Sequence, residues 1–183
     1  MISLVVALSM FSGLASAATS ADLVAPMEQP PLRAVDFVDP MRYVGNWYQV
    51  AGNPMPFEPE RCDCPRQTLA LSEAGIAVWN TCNIGGAGGP LYSIRGTAKP
   101  LDPTNAKLEV DFGLPRKGTY WVVGLDPDYR WAIVSEPSRT SLYILSKTPV
   151  LEESLKQAAL QKAAEQLSLE KLRWNEHSNC TYP

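Results

Sequence analysis

Between Gly45 and Lys147 the chain alternates apolar and polar residues over short runs, and turn-forming residues interrupt those runs repeatedly. The clearest run is Lys107-Leu108-Glu109-Val110-Asp111-Phe112, where apolar side chains take one parity and charged ones the other. In a strand, that spacing sets an apolar face against a core and a polar face in water. The same reading gives eight runs: Gly45–Gly52, Pro65–Ser72, Ile76–Asn83, Leu91–Lys99, Lys107–Gly113, Thr119–Leu125, Trp131–Glu136 and Ser141–Lys147. Between them lie turn signals such as Glu73-Ala74-Gly75, Asp126-Pro127-Asp128 and Pro137-Ser138. Connections this short suit sequential hairpins, and an eight-strand meander can close on itself and lose its free edges. The expected fold is all-β: an eight-stranded antiparallel up-and-down barrel.

Parity also sorts the strand residues into faces. The expected interior is lined by Ile76, Val78, Ile94, Leu108, Val110, Phe112, Tyr120, Val122, Ala132, Val134, Tyr143 and Leu145. Asn80 adds a polar group, and the two tyrosines add hydroxyls. Several residues of the opposite parity, Trp121, Ile133 and Ile144, are apolar too, so a second layer should cover that part of the wall. A C-terminal α-helix over about 149–167 supplies it. Thr148-Pro149 reads as its N-cap and first helical position, and Glu152 and Glu153 suit the positive end of the helix dipole. Leu151, Leu155, Ala158, Ala159 and Leu167 form its apolar stripe. Lys171–Glu176 reads as a last extended segment beside the first strand, within a C-terminal strand and tail over 171–183.

The stretch before the barrel changes the picture of where the protein works. Met1–Ala17 is uncharged, mostly apolar and ends in Ala15-Ser16-Ala17, the pattern of a cleaved signal peptide. Residues 18–35, with Pro26, Pro30 and Pro31, read as an extended leader, and 36–183 as the folded domain. No cysteine stands near the cleavage site to carry a lipid, so the expectation is a soluble exported protein, periplasmic or secreted. Four cysteines, Cys62, Cys64, Cys82 and Cys180, suit that compartment as two disulfides. As a metal site they fail: Cys62-Asp63-Cys64 leaves one residue between the sulfurs, and the sole histidine, His177, is remote in sequence. A net charge of −3 gives no footprint for nucleic acid, and Gly85–Gly89 lacks the lysine and hydroxyl of a phosphate loop. No metal or cofactor is expected.

Three segments carry a resemblance. Tyr43-Val44-Gly45-Asn46-Trp47-Tyr48-Gln49-Val50 resembles the opening motif of the lipocalins, with Phe57-Glu58 and Val78-Trp79-Asn80 following in order. Gly124–Val134, with Asp128-Tyr129 in its turn, is similar to the family's second motif, and Tyr143–Pro149 to its third. The resemblance runs from about residue 36 to 176 and is nearest to the bacterial lipocalin and apolipoprotein D branch. It implies that Gly45 and Trp47 open the first strand at the closed end, and that a basic residue of the last strand crosses the indole. Here that residue is Lys147, where the family usually has arginine; the cation–π contact is worth about 0.5–2 kcal/mol. Those residues are structural. On the same frame Cys64 comes roughly opposite Cys82, with Cys62 just beyond. Either Cys64–Cys82 with Cys62–Cys180, or Cys62–Cys82 with Cys64–Cys180, satisfies it; apolipoprotein D follows the second pattern.

The function the resemblance implies is non-catalytic binding or transport of a small hydrophobic ligand, such as a fatty acid, lysophospholipid or another single-chain lipid, with transient membrane contact compatible. Two alternatives stand beside it: a lipocalin-fold enzyme acting on a lipid through a free thiol, and an envelope interaction protein in which any ligand is incidental.

Overall fold

Strands form where the alternation is cleanest. In the computed structural model they are β1 (Gly45–Gly52), β2 (Cys62–Ser72), β3 (Gly75–Ile84), β4 (Leu91–Pro100), β5 (Lys107–Asp111), β6 (Gly118–Leu125), β7 (Trp131–Ser135), β8 (Tyr143–Ser146) and β9 (Arg173–Trp174). Two helices join them, α1 (Pro40–Tyr43) and α2 (Glu153–Ala164). The structure describes residues 29–56, 58–59 and 61–183. The expected signal peptide, the first part of the expected leader and Phe57 therefore lie outside the described residues. Residues from Pro31 onward form one compact unit.

Each strand from β2 to β8 pairs antiparallel with the next, β8 pairs with β1, and β1 pairs with β2, so eight strands close a ring. One stretch of that ring is unusual. β1 is laddered to β2 only from Gly45 to Tyr48, and a bulge in β2 between Asp63 and Arg66 marks the departure. β9 pairs beyond that point, Trp174 with Ala51 and Arg173 with Gly52. The tail continues the seal: Asn175 donates through its backbone N–H to Val50 O and through its side chain to Gln49 O. The His177 Nε2–H also donates to Gln49 O, and its Nδ1 accepts from the Tyr182 hydroxyl. Disulfides Cys62–Cys82 and Cys64–Cys180 fix the same region, the second across 116 residues of chain. The pairing is thus the second of the two alternatives.

The wall has apolar residues on both sides. Inside, Leu69, Val78, Leu108, Val122, Ala132 and Leu145 pack in one cluster; outside, Val50, Ile133, Leu142 and Ile144 pack in another. α2 covers the outer cluster through Ala159 and Ala163, with Leu155 and Leu160 beside them. Trp121 joins it as well, so the apolar residues of outward parity do lie under a second layer. Val122 faces inward and Val123 joins the outer cluster, and a bulge between Val122 and Gly124 then sets Gly124 opposite Ile133 of that cluster.

The helix differs from expectation at both its start and its stripe. It begins at Glu153, four residues after Pro149, with Glu152 at the N-cap and no side-chain cap bond. Thr148 is engaged in a turn instead: its N–H donates to Ser146 Oγ and its hydroxyl to Val150 O. Ala158 faces solvent, and Ala163, one turn on from Ala159, takes the inner place. The single turn α1 is an addition to the expected elements. Asp39 caps it by accepting from the Met41 N–H, with Pro40 at its first position.

Candidate functional site

The strands leave the barrel with two unlike ends. α1 and the segment before it cross one end, where the β2–β3 and β4–β5 turns also lie. Gly45 opens β1 there with a φ of 101°, a left-handed value that glycine adopts at low cost. Two residues on, Trp47 is fully buried, and its indole N–H donates to Tyr43 O at 2.6 Å. The Lys147 ammonium stands 4.1 Å from the indole centroid and donates to Val44 O at 2.8 Å and Tyr43 O at 3.3 Å. Burial pulls the Lys147 pKa down to about 8, while the two carbonyls and the ring face hold the charge in place.

Tyr129 extends the plug. Its φ is 61°, its ring packs against Tyr43 and under the Arg42 guanidinium at 4.1 Å, and its hydroxyl accepts from the Asp39 N–H. Within the same turn Asp126, more than Asp128, does the holding. The Asp126 carboxylate is buried, binds the Arg130 guanidinium through both oxygens at 2.8 and 2.9 Å, and accepts the Asp128 and Arg130 backbone N–H groups. The bond from Arg130 holds its carboxyl below the usual carboxylate range. Asp128 is exposed, with only a 3.6 Å contact to Arg130.

Above the plug the interior is packed at first. Of the thirteen expected lining residues, eleven join the inner cluster: Ile76, Val78, Leu108, Val110, Phe112, Tyr120, Val122, Ala132, Val134, Tyr143 and Leu145. A void of only about 10 Å³ remains at the closed end, between Val38, Tyr43, Leu69, Ile76 and Leu108. That is about one water's worth of space.

Toward the other end the inward side chains are no longer sealed. Asn80 and Ile94 face each other across β3 and β4 on the inward parity but stay outside the packed cluster. Both keep accessible surface, as do Phe112, Tyr120 and Tyr143. Gly96, also on that parity, matters for Phe112: a Cβ there would meet the Phe112 ring at 2.6 Å. At the rim Glu58 lies against the Tyr143 hydroxyl; burial raises the Glu58 carboxyl's pKa, and the bond from Tyr143 offsets part of the rise.

A chain of polar groups crosses the barrel between these two halves. The Tyr43 and Tyr120 hydroxyls are 2.8 Å apart, Tyr120 donates to Gln67 Oε1 at 3.0 Å, and Gln67 Nε2 donates to Asn80 Oδ1 at 3.2 Å. Burial pushes both phenol pKa values up, so both stay protonated. Tyr43 and Gln67 were not among the expected lining residues. The signal for Gln67 was present, since it shares parity with Leu69, but the bulge preceding it broke the alternation.

A family model for a lipocalin-like domain matches residues 38–177. The chain is a lipocalin. Over 168 residues this lipocalin is 36% identical to the outer membrane lipoprotein Blc of Escherichia coli strain K12, covering 88% of this chain and 94% of that one. It is also 36% identical over 148 residues to temperature-induced lipocalin-1 of Arabidopsis thaliana, covering 76% and 78%. Apolipoprotein D of Macaca fascicularis is 34% identical over 130 residues, covering 69% and 66%. Among solved structures, insecticyanin from the tobacco hornworm Manduca sexta has a TM-score of 0.66 at 22% identity, covering 86% of this lipocalin and 92% of that chain, a likeness of fold.

Proposed function

We propose that this lipocalin binds and carries a small hydrophobic ligand, a fatty acid, lysophospholipid or similar single-chain amphiphile, in the open half of its barrel, without chemistry. The observation that supports this reading is the accessible surface left on Asn80, Ile94, Phe112, Tyr120 and Tyr143, all inward-facing residues within a closed ring of strands. Accessible inward side chains are what a chamber reached from that end would have. The walls of that space are apolar with a few polar groups, the chemistry of a site for an amphiphile. A thiol-based reaction has no nucleophile to start from, because all four cysteines are in disulfides. Two disulfides and the similarity to an outer membrane lipoprotein support an exported, envelope or extracellular setting.

The test is displacement of a fluorescent fatty acid from purified, delipidated protein. Single-chain lipids are expected to compete in the micromolar range or tighter; failure of every one to displace the probe removes the reading.

A further inference from the structure

The polar chain that crosses the barrel has a direction. Tyr120 gives its hydrogen to Gln67 Oε1, so the Tyr43 hydroxyl must be the donor to Tyr120, and Gln67 in turn donates to Asn80 Oδ1. Each link passes the donor role onward from the closed end. The last group in line, the Asn80 Nδ2 amide, has two N–H donors and no protein acceptor among the described residues. It also stands where the packed interior gives way to the accessible one, opposite Ile94. The open half of the barrel therefore rests on a floor that offers hydrogens.

We propose that the ligand enters polar end first, with a carboxylate or ester carbonyl accepting hydrogen bonds from the Asn80 amide and its apolar body lying toward the mouth along Ile94, Phe112 and Tyr143. This rests on the carrier reading above and narrows it to compact amphiphiles whose polar end is a bare acceptor, such as free fatty acids. An apolar tail pressed on this floor would exclude water from two amide donors and replace it with nothing, a loss for which the hydrocarbon offers no compensation. A bulky headgroup finds the plugged end directly below: the void there is about 10 Å³. An ammonium headgroup meets hydrogens where it needs oxygens.

The test uses the full, oxidised, delipidated chain with two probes of equal length, decanoate and 1-decylamine, titrated calorimetrically against the native protein and Asn80→Asp. The carboxylate introduced by that substitution keeps the size of the amide and an acceptor for Gln67, but presents oxygens to the chamber. Native protein is expected to prefer decanoate by roughly tenfold or more, and Asn80→Asp to reverse the preference. Independently of any variant, nuclear Overhauser contacts in the native complex should join the decanoate methyl to the Phe112 and Tyr143 rings. If decanoate binds but its methyl contacts Leu69 and Val78, or if Asn80→Asp leaves both affinities unchanged, the orientation is overturned while the carrier reading stands. If neither probe binds native protein and no single-chain lipid displaces the fluorescent fatty acid, both fall. Should Asn80→Asp fail to fold, Tyr120→Phe removes the bond that orients Gln67, and decanoate should weaken several-fold without a matching loss for decylamine.

Discussion

At the closed end of this barrel Tyr43, Trp47 and Tyr129 are buried against fixed partners, whereas toward the other end Asn80, Ile94 and Phe112 keep accessible surface. Trp47 is enclosed by Tyr43, Lys147 and the start of β1; Phe112, on the same inner surface, packs on one side and stays accessible on the other. One alternating pattern generates both. What separates them is what crosses the strand ends: α1 with its Asp39 cap and the Asp126–Arg130 turn lie across one, while inward side chains toward the other keep accessible surface. A barrel of this kind divides its labour along its axis. Fixed contacts are concentrated where the interior is plugged, and the proposed binding falls where it is not.

The sharpest way to break that contrast is to truncate one aromatic at each end. Trp47→Ala should cost about 3–5 kcal/mol in chemical denaturation, since it empties a fully buried site and frees a carbonyl and a cation together. Lys147→Met keeps the stem but loses the indole contact and both carbonyl bonds; a loss of about 1–2 kcal/mol is expected in the same assay. Phe112→Ala should cost less, about 1–2 kcal/mol, because its ring is only partly buried, yet weaken fluorescent fatty-acid binding several-fold. Equal costs at Trp47 and Phe112 would show that the two ends are not different in kind.

The smallest expected effect is one of pH. His177 is buried in the tail that seals the open half, and burial lowers its pKa below 6.5. The unfolded chain therefore takes up the proton first as pH falls, and the native state loses stability progressively below about 6.5. Above that value both states are neutral and the contribution is complete. A melting temperature that declines as pH falls from about 6.5 to 5 is expected, with the decline reduced in His177→Gln.

The sequence made the barrel legible because parity survives tilt and curvature: Leu108, Val110, Val122, Val134 and Leu145 all lie where alternation put them. Motif spacing located the plug of Gly45, Trp47 and Lys147. Features set by long-range partners were harder to read. Thr148-Pro149 carries a sound capping signal, but Ser146 and Val150 engage the threonine first. Asp128 was singled out in its turn, but the neighbouring Asp126 holds Arg130. Asn80 was singled out as an interior polar group, but nothing local reveals that Tyr43, thirty-seven positions away, begins a line of hydrogen bonds that ends on it.

The stretch where β1 parts from β2 gives the molecule a chemical dependence that its ring of ladders would not suggest. One panel of the open wall is held by Cys64–Cys180 and a short tail in place of continuous strand pairing. Thiol–disulfide exchange there acts on that panel alone, since no sulfur takes part in the Trp47 plug. Reduction of Cys64–Cys180 would leave that panel held by the two β9 pairs and the hydrogen bonds of the tail.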